Sequence, residues 1–321
     1  MAKNCENKEQ GCFRTSIGGQ ALIEGILMRG PEKQAIVVRS TEGLVEKVEE
    51  LKLVRDKYPI LGLPVIRGAV TFVDSMVKGV KALMFSADYF PEEDESPSKF
   101  ELWLEKKLGS KQMEKLIVAL AVVLSIGMTV VLFFLLPTFL AGFVSRFIPV
   151  AAVHNLAESV IKLTIFFCYM LLCSKQKDIQ RVFGYHGAEH KTIFCYEAGL
   201  PLTVENCRIQ TRFHPRCGTS FLFVVVVVSI LVSSVVFSFV NWQNLWVRFG
   251  LHLLLLAPIV GVTYEFNRFV GRHDNPVTNF LAKPGLWLQK FTTNEPDDSM
   301  LEVAIRALEL VLPTEEGKDE W

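Results

Sequence analysis

The residues best suited to chemistry stand in two short stretches, Gly184-Tyr-His-Gly-Ala-Glu-His-Lys191 and His214-Pro-Arg-Cys217. On a helix, His186 and His190 lie four apart and share a face, with Glu189 beside them. Two imidazoles one turn apart can grip one metal ion, and an adjacent carboxylate can act as base. The spelling His-x-x-Glu-His is that of the inverted zincins. His214 and Cys217 are three apart, so one short turn can present both. Imidazole and thiolate donors suit Zn²⁺ best. The expected ligands are therefore His186, His190, His214 and Cys217, with Glu189 as the catalytic base. If all four bind, the site is closed and structural; if Cys217 stays out, a water takes the fourth place. Glu265 is a more remote alternative for a third ligand. In the competing reading, His186 and His190 only hydrogen-bond at a helix–membrane junction and bind nothing.

The elements that must position these residues are apolar. Half of the 321 residues are hydrophobic, yet 21% are charged, so membrane segments and polar domains are both expected. The formal net charge is zero, which implies no bulk attraction to nucleic acid. The first 20 residues hold no apolar run, so no cleaved signal peptide is expected. Four stretches are long and apolar enough to cross a bilayer: 116–136, 156–173, 219–240 and 245–266. Glu158 and Lys162, four apart in the second, are expected to pair near one end of it. Lys and Arg crowd the flank before the first span, the segment 174–218 and the residues after the fourth span. The segments 137–155 and 241–244 are almost free of them, which places both termini and the His/Cys loop 174–218 in the cytoplasm. His154 and His252 then fall on the opposite side, away from the metal motif. Glu158, Lys162 and Arg248 fall near span ends, which argues against a transporter.

The predicted architecture is a mainly α membrane protein with a cytoplasmic α+β N-terminal domain. A polar tail covers 1–14, the α+β domain 15–90, and an acidic linker with an amphipathic helix 91–115. The four-helix membrane domain spans 116–266, and a cytoplasmic tail with an amphipathic helix covers 267–321. Within 15–90, the glycines of 17–31 predict closely packed strands with bulges or turns. Residues 35–39 and 45–53 predict a hairpin with its turn at 41–43. Residues 65–89 predict a long helix that is either buried or on the membrane surface. Glu24 and Arg29 are expected as ion-paired or solvated residues. In the tail, 272–276 predicts a turn, and Asp298 or Ser299 is expected to cap a docking helix over 300–312. The seven cysteines are odd in number with no disulfide spacing; Cys195 and Cys207 read as small buried residues.

Several of these stretches together resemble the YqhQ family of bacterial membrane proteins. They are Gly18-Gly-Gln-Ala-Leu-Ile-Glu-Gly25, Met28-Arg-Gly-Pro31, Ile66-Arg-Gly68, the two His/Cys stretches, Arg272-His-Asp-Asn-Pro276 and Thr292 to Pro296 followed by Leu301-Glu-Val-Ala304. The resemblance covers 15–313 and implies a polytopic inner-membrane protein described as a predicted metal-dependent enzyme. Two functions fit. One is a Zn²⁺-dependent hydrolase at the inner membrane face. The other is a membrane scaffold or assembly factor that docks another membrane protein and carries a structural metal site.

Overall fold

The computed structural model describes residues 13–51, 58–90, 110–148, 150–239, 244–273, 275–315 and 317–320. The tail before Phe13, the acidic stretch 91–97 and most of the amphipathic helix expected over 100–115 lie outside the described residues. The chain divides into two compact units: Met1–Phe90 with Met170–Val228 and Ala257–Trp321, and Pro91–Tyr169 with Ser229–Leu256.

The first unit is built on a four-stranded antiparallel sheet in the order β1-β2-β3-β4. Its strands are β1 (Gly18–Leu22), β2 (Gly25–Arg29), β3 (Lys33–Ser40) and β4 (Gly43–Glu50). Leu22 pairs with Gly25, leaving a two-residue turn in which Glu24 takes a positive φ of 47°. The hairpin expected from 35–53 is present, with its strands meeting at Ser40 and Gly43. β2 and β3 bury both faces, which is why they read as continuous apolar runs. Leu27, Ile36 and Val38 point to a helix α1 (Ile66–Ala87) through Ala82. Ile26, Met28, Ala35 and Val37 point the other way. There they meet α5 (Lys177–Glu197) and the tail helix, through Tyr185, Ala188, Leu301, Ala304 and Leu308.

α1 is not buried as a whole. Its small residues Gly68, Gly79 and Ala82 face inward, while Val73, Met76 and Val77 stand at least half exposed. Arg29 pairs with Asp74 at 3.1 Å, and Glu24 pairs with Arg181, so both are ion-paired as expected. The segment read as a loop, 174–218, is largely helical: α5 is followed by the short α6 (Val204–Arg208). The tail holds two helices, α9 (Pro276–Thr292) and α10 (Asp298–Glu309). α9 has no counterpart in the sequence reading, because Pro284 and Gly285 interrupt its helical pattern. Asn275 caps it in a capping box with Thr278, so the expected turn at 272–276 doubles as a helix start. α10 begins earlier than predicted, and its cap is Asp297, which accepts from Met300 N at 3.0 Å.

Among the described residues, four helices are long and apolar enough to cross a membrane: Leu116–Phe147, Val153–Cys173, Gly218–Val236 and Trp246–Arg272. They correspond to α2 (Ser110–Val130) running into α3 (Leu136–Phe147), α4 (Ala151–Cys173), α7 (Gly218–Val236) and α8 (Leu245–Arg272). The first runs past the expected end at 136. Pro137 cannot donate to residue 133, and a π-turn over Val131–Leu135 absorbs the misfit, so the helix continues. In the second unit, Glu158 does not take Lys162 as its main partner. Its carboxylate is held by Arg248, by His252 Nε2 at 2.8 Å and by Thr138 Oγ1 at 2.9 Å.

Candidate metal centre

α5 carries His186, Glu189 and His190 on one face, and Cys217 stands immediately before α7. Ligand atoms of His186, His190 and Cys217 all lie within 4.8 Å of one another. His186 Nε2 is 3.1 Å from Cys217 Sγ, and the two imidazole centroids are 4.4 Å apart. In a zinc tetrahedron the bond lengths separate two donors by roughly 3.3–3.6 Å, so these spacings suit one ion. His190 is buried, while His186 and Cys217 are partly open.

The backbone sets the imidazole orientation. His186 Nδ1 donates to the Thr292 carbonyl at 2.7 Å, and His190 Nδ1 donates to the Arg212 carbonyl at 2.6 Å. With Nδ1 donating to the backbone, each Nε2 is the nitrogen left to face Cys217 and to ligate. α5 can come this close to the chain end of α9 because residue 187 is glycine. A Cβ there would stand 2.1 Å from the Asn294 carbonyl oxygen.

Burial alone would push the Cys217 thiol up, but His186 and His190 overcome it and hold the thiol well below its usual value. Burial pulls His186 down, yet the Cys217 sulfur, Glu189 and the Thr292 carbonyl together raise it to about 9. Both shifts favour the ligating, thiolate form of the sulfur, and an ion bound here would displace the proton that His186 Nε2 shares with it.

Glu189 is buried, and burial raises its pKa. One oxygen, Oε1, accepts from Gly19 N at 2.8 Å; the other, Oε2, is buried and has no hydrogen-bond partner among the described residues. Gly19 makes this approach possible, since a Cβ there would stand 3.1 Å from Glu189 Cδ and 2.7 Å from the Leu27 oxygen.

His214 does not join the trio. Its ring stacks on His190 at 5.5 Å, but its Nε2 faces Arg216 at 3.2 Å and Glu197 at 3.8 Å. Gln289 clamps its main chain, accepting from His214 N and donating to His214 O, each at 2.7 Å. Burial holds His214 neutral, with its pKa down at about 4. Glu265 is also committed elsewhere: Arg67 donates to it at 2.7 and 2.5 Å, and Val65 N at 3.3 Å. Cys195 and Cys207 are fully buried beside one another, away from the trio, as small buried residues. His273 Nδ1 bonds the Phe269 carbonyl at 2.9 Å and serves the start of α9.

Two supports were not anticipated. The carbonyls of Thr292 and Arg212 leave no mark in side-chain spelling. The Gly19 amide does leave one, in the paired glycines Gly18 and Gly19, whose close approach was expected without its target.

The donors are therefore two imidazoles with fixed tautomers and one thiolate, beside a carboxylate with a spare oxygen. That chemistry fits a borderline-soft divalent ion such as Zn²⁺.

Comparison with known proteins agrees on the family. The family described as "Protein of unknown function (DUF1385)" matches residues 63–314. The chain is 35% identical over 306 residues to "Uncharacterized protein YqhQ" of Bacillus subtilis (strain 168), covering 93% of this chain and 92% of that protein. No solved structure matches. The chain belongs to the YqhQ family, the proteins that share this domain of unknown function.

Proposed function

We propose that this chain is a multi-pass membrane protein with a cytosol-facing Zn²⁺ centre, and that the centre performs hydrolysis at the inner membrane face. The observation that carries the reading is the trio His186, His190 and Cys217 beside the partnerless Glu189 Oε2. Three protein donors leave a fourth coordination place, which is the pattern of catalytic rather than structural sites. A second imidazole on the thiolate favours a ligand set over a Cys–His nucleophile pair, in which one imidazole would suffice.

Zn²⁺ held there would supply Lewis acidity. Glu189 Oε2 would accept a proton from water. Its burial makes it a stronger base than a solvated carboxylate, and the Gly19 amide keeps it from rotating away. His214 works at one remove: its neutral ring packs on His190 and adds no charge beside the ion. The membrane placement rests on the four apolar helices and on the crowding of Lys and Arg around 174–218. The open apolar side of α1 would rest on the same bilayer face.

The test uses Glu189→Gln, which keeps shape and removes basicity. We expect purified Glu189→Gln to retain wild-type zinc while hydrolysis of a panel of ester and peptide probes falls by about 10²-fold or more. A loss of zinc in this variant would make Glu189 a fourth ligand and the site structural, which favours the scaffold reading.

A further inference from the structure

The second unit contains a buried charged cleft that the proposed metal chemistry does not use. It is lined by Asn155, Glu158 and Lys162 of α4, Ser233 and Phe237 at the end of α7, and Arg248 of α8, with a free space of about 190 Å³ that includes its mouth open to the outside. Arg248 is 1% exposed, Glu158 4% and Lys162 6%. These side chains belong to helices apolar enough to span a bilayer, where an ionised group is expensive unless paired.

The charges do not balance. Glu158 is the one carboxylate among the lining residues, against two cations, Arg248 and Lys162. Protonation of His154 or His252 beside it would only add to the excess. Glu158 is also fully used: Arg248 Nη2 takes one oxygen, and His252 and Thr138 take the other. Arg248 then has work left over. Nη2 reaches Glu158 and Asn155 Oδ1, and the guanidinium lies over Phe237 at 4.0 Å, but Nε and Nη1 are buried with no acceptor among the described residues. Lys162 stands with its ammonium 6.0 Å from the Phe134 ring. A buried arginine with two donors unpartnered among the described residues, beside a second basic side chain and a fully engaged carboxylate, points to an anionic acceptor. The planar fork of a guanidinium matches an oxyanion better than a spherical ion.

We propose that this cleft binds an oxyanion between Arg248 and Lys162, contributed either by a free small anion or by the phosphodiester of an anionic lipid. The metal centre plays no part in it, and either reading can fail alone.

The experiment follows the thermal midpoint of the purified full-length protein in a neutral detergent. It is titrated with inorganic phosphate, with dihexanoyl phosphatidylglycerol, or with sodium chloride at matched ionic strength. We expect saturable stabilisation by phosphate if the source is a free anion, or by the lipid alone if it is a headgroup, and none by chloride. Lys162→Gln leaves the Glu158–Arg248 pair intact and should weaken the midpoint-raising ligand by about tenfold or more. Arg248→Gln should abolish the effect, and Arg146→Gln, at an exposed position outside the cleft, should change nothing. Should Arg248→Gln fail to fold, Lys162→Gln alone decides. An equal response to chloride, no response to either oxyanion source, or an undiminished response in Lys162→Gln would overturn the proposal.

Discussion

His186 and His190 differ from a pair of surface histidines in what holds their Nδ1 atoms. One backbone carbonyl holds each ring, at 2.7 Å for His186 and 2.6 Å for His190. Removing such an orienting contact typically weakens metal affinity 10–100-fold, so a ligand variant should cost far more than a neighbour variant. His214 is such a neighbour, and its own signature is pH. Its pKa in the fold, about 4, lies below the 6.5 of an unfolded histidine. Above pH 6.5 both states hold the ring neutral and its contribution is whole. As pH falls from about 6.5 toward about 4, the unfolded chain takes the proton first, and stability on the order of 3 kcal/mol drains away. Denaturation midpoints of wild type and His214→Gln between pH 7.5 and 5 should show the variant with the flatter profile. Parallel profiles would place His214 in water, not in the fold.

At the scale of elements, close approach is what assembles the centre. α5 reaches the end of α9 only because residue 187 lacks a Cβ. Gly187→Ala should cost about 1–3 kcal/mol by overpacking, and should loosen metal binding by shifting Thr292, which orients His186. Asp297→Ala should cost about 1 kcal/mol through loss of the α10 cap, while Ser299→Ala should be nearly silent because its hydroxyl only supports Asp297. Chemical denaturation reads all three. These elements also mark how far the sequence could be followed. The His-x-x-Glu-His spacing was legible because helical period is local, and β2 and β3 were legible as apolar runs bounded by glycines. The assignment of His214 as a ligand rested on its three-residue distance from Cys217. Such spacing says nothing about Arg216 and Glu197, which claim the ring across the fold. α9 was hidden because Pro284 and Gly285 look like a break, although Gly285 is needed where Ser220 would stand 2.5 Å from a Cβ. The Glu158–Lys162 spacing suggested a local pair, while the stronger partner, Arg248, comes from a distant helix.

For the whole molecule, the proposed orientation, read from the distribution of Lys and Arg, has the sheet and the His/Cys trio facing the cytosol. The native Cys195 and Cys207 are too buried to report on this. Cysteines added one at a time at exposed Glu42 and Ser238, in a background without Cys5, Cys12, Cys168 and Cys173, serve better. In intact cells an impermeant maleimide should label position 238 and spare position 42 until the membrane is opened. The reverse would invert the orientation. The central claim, a metal centre made by His186, His190 and Cys217, meets its most direct test in metal content. Elemental analysis of the purified full-length protein should find about one zinc per chain in wild type and in His214→Gln, and little in His190→Ala or Cys217→Ser at equal folded fraction. No bound metal in the wild type, or undiminished metal in His190→Ala and Cys217→Ser, would contradict it.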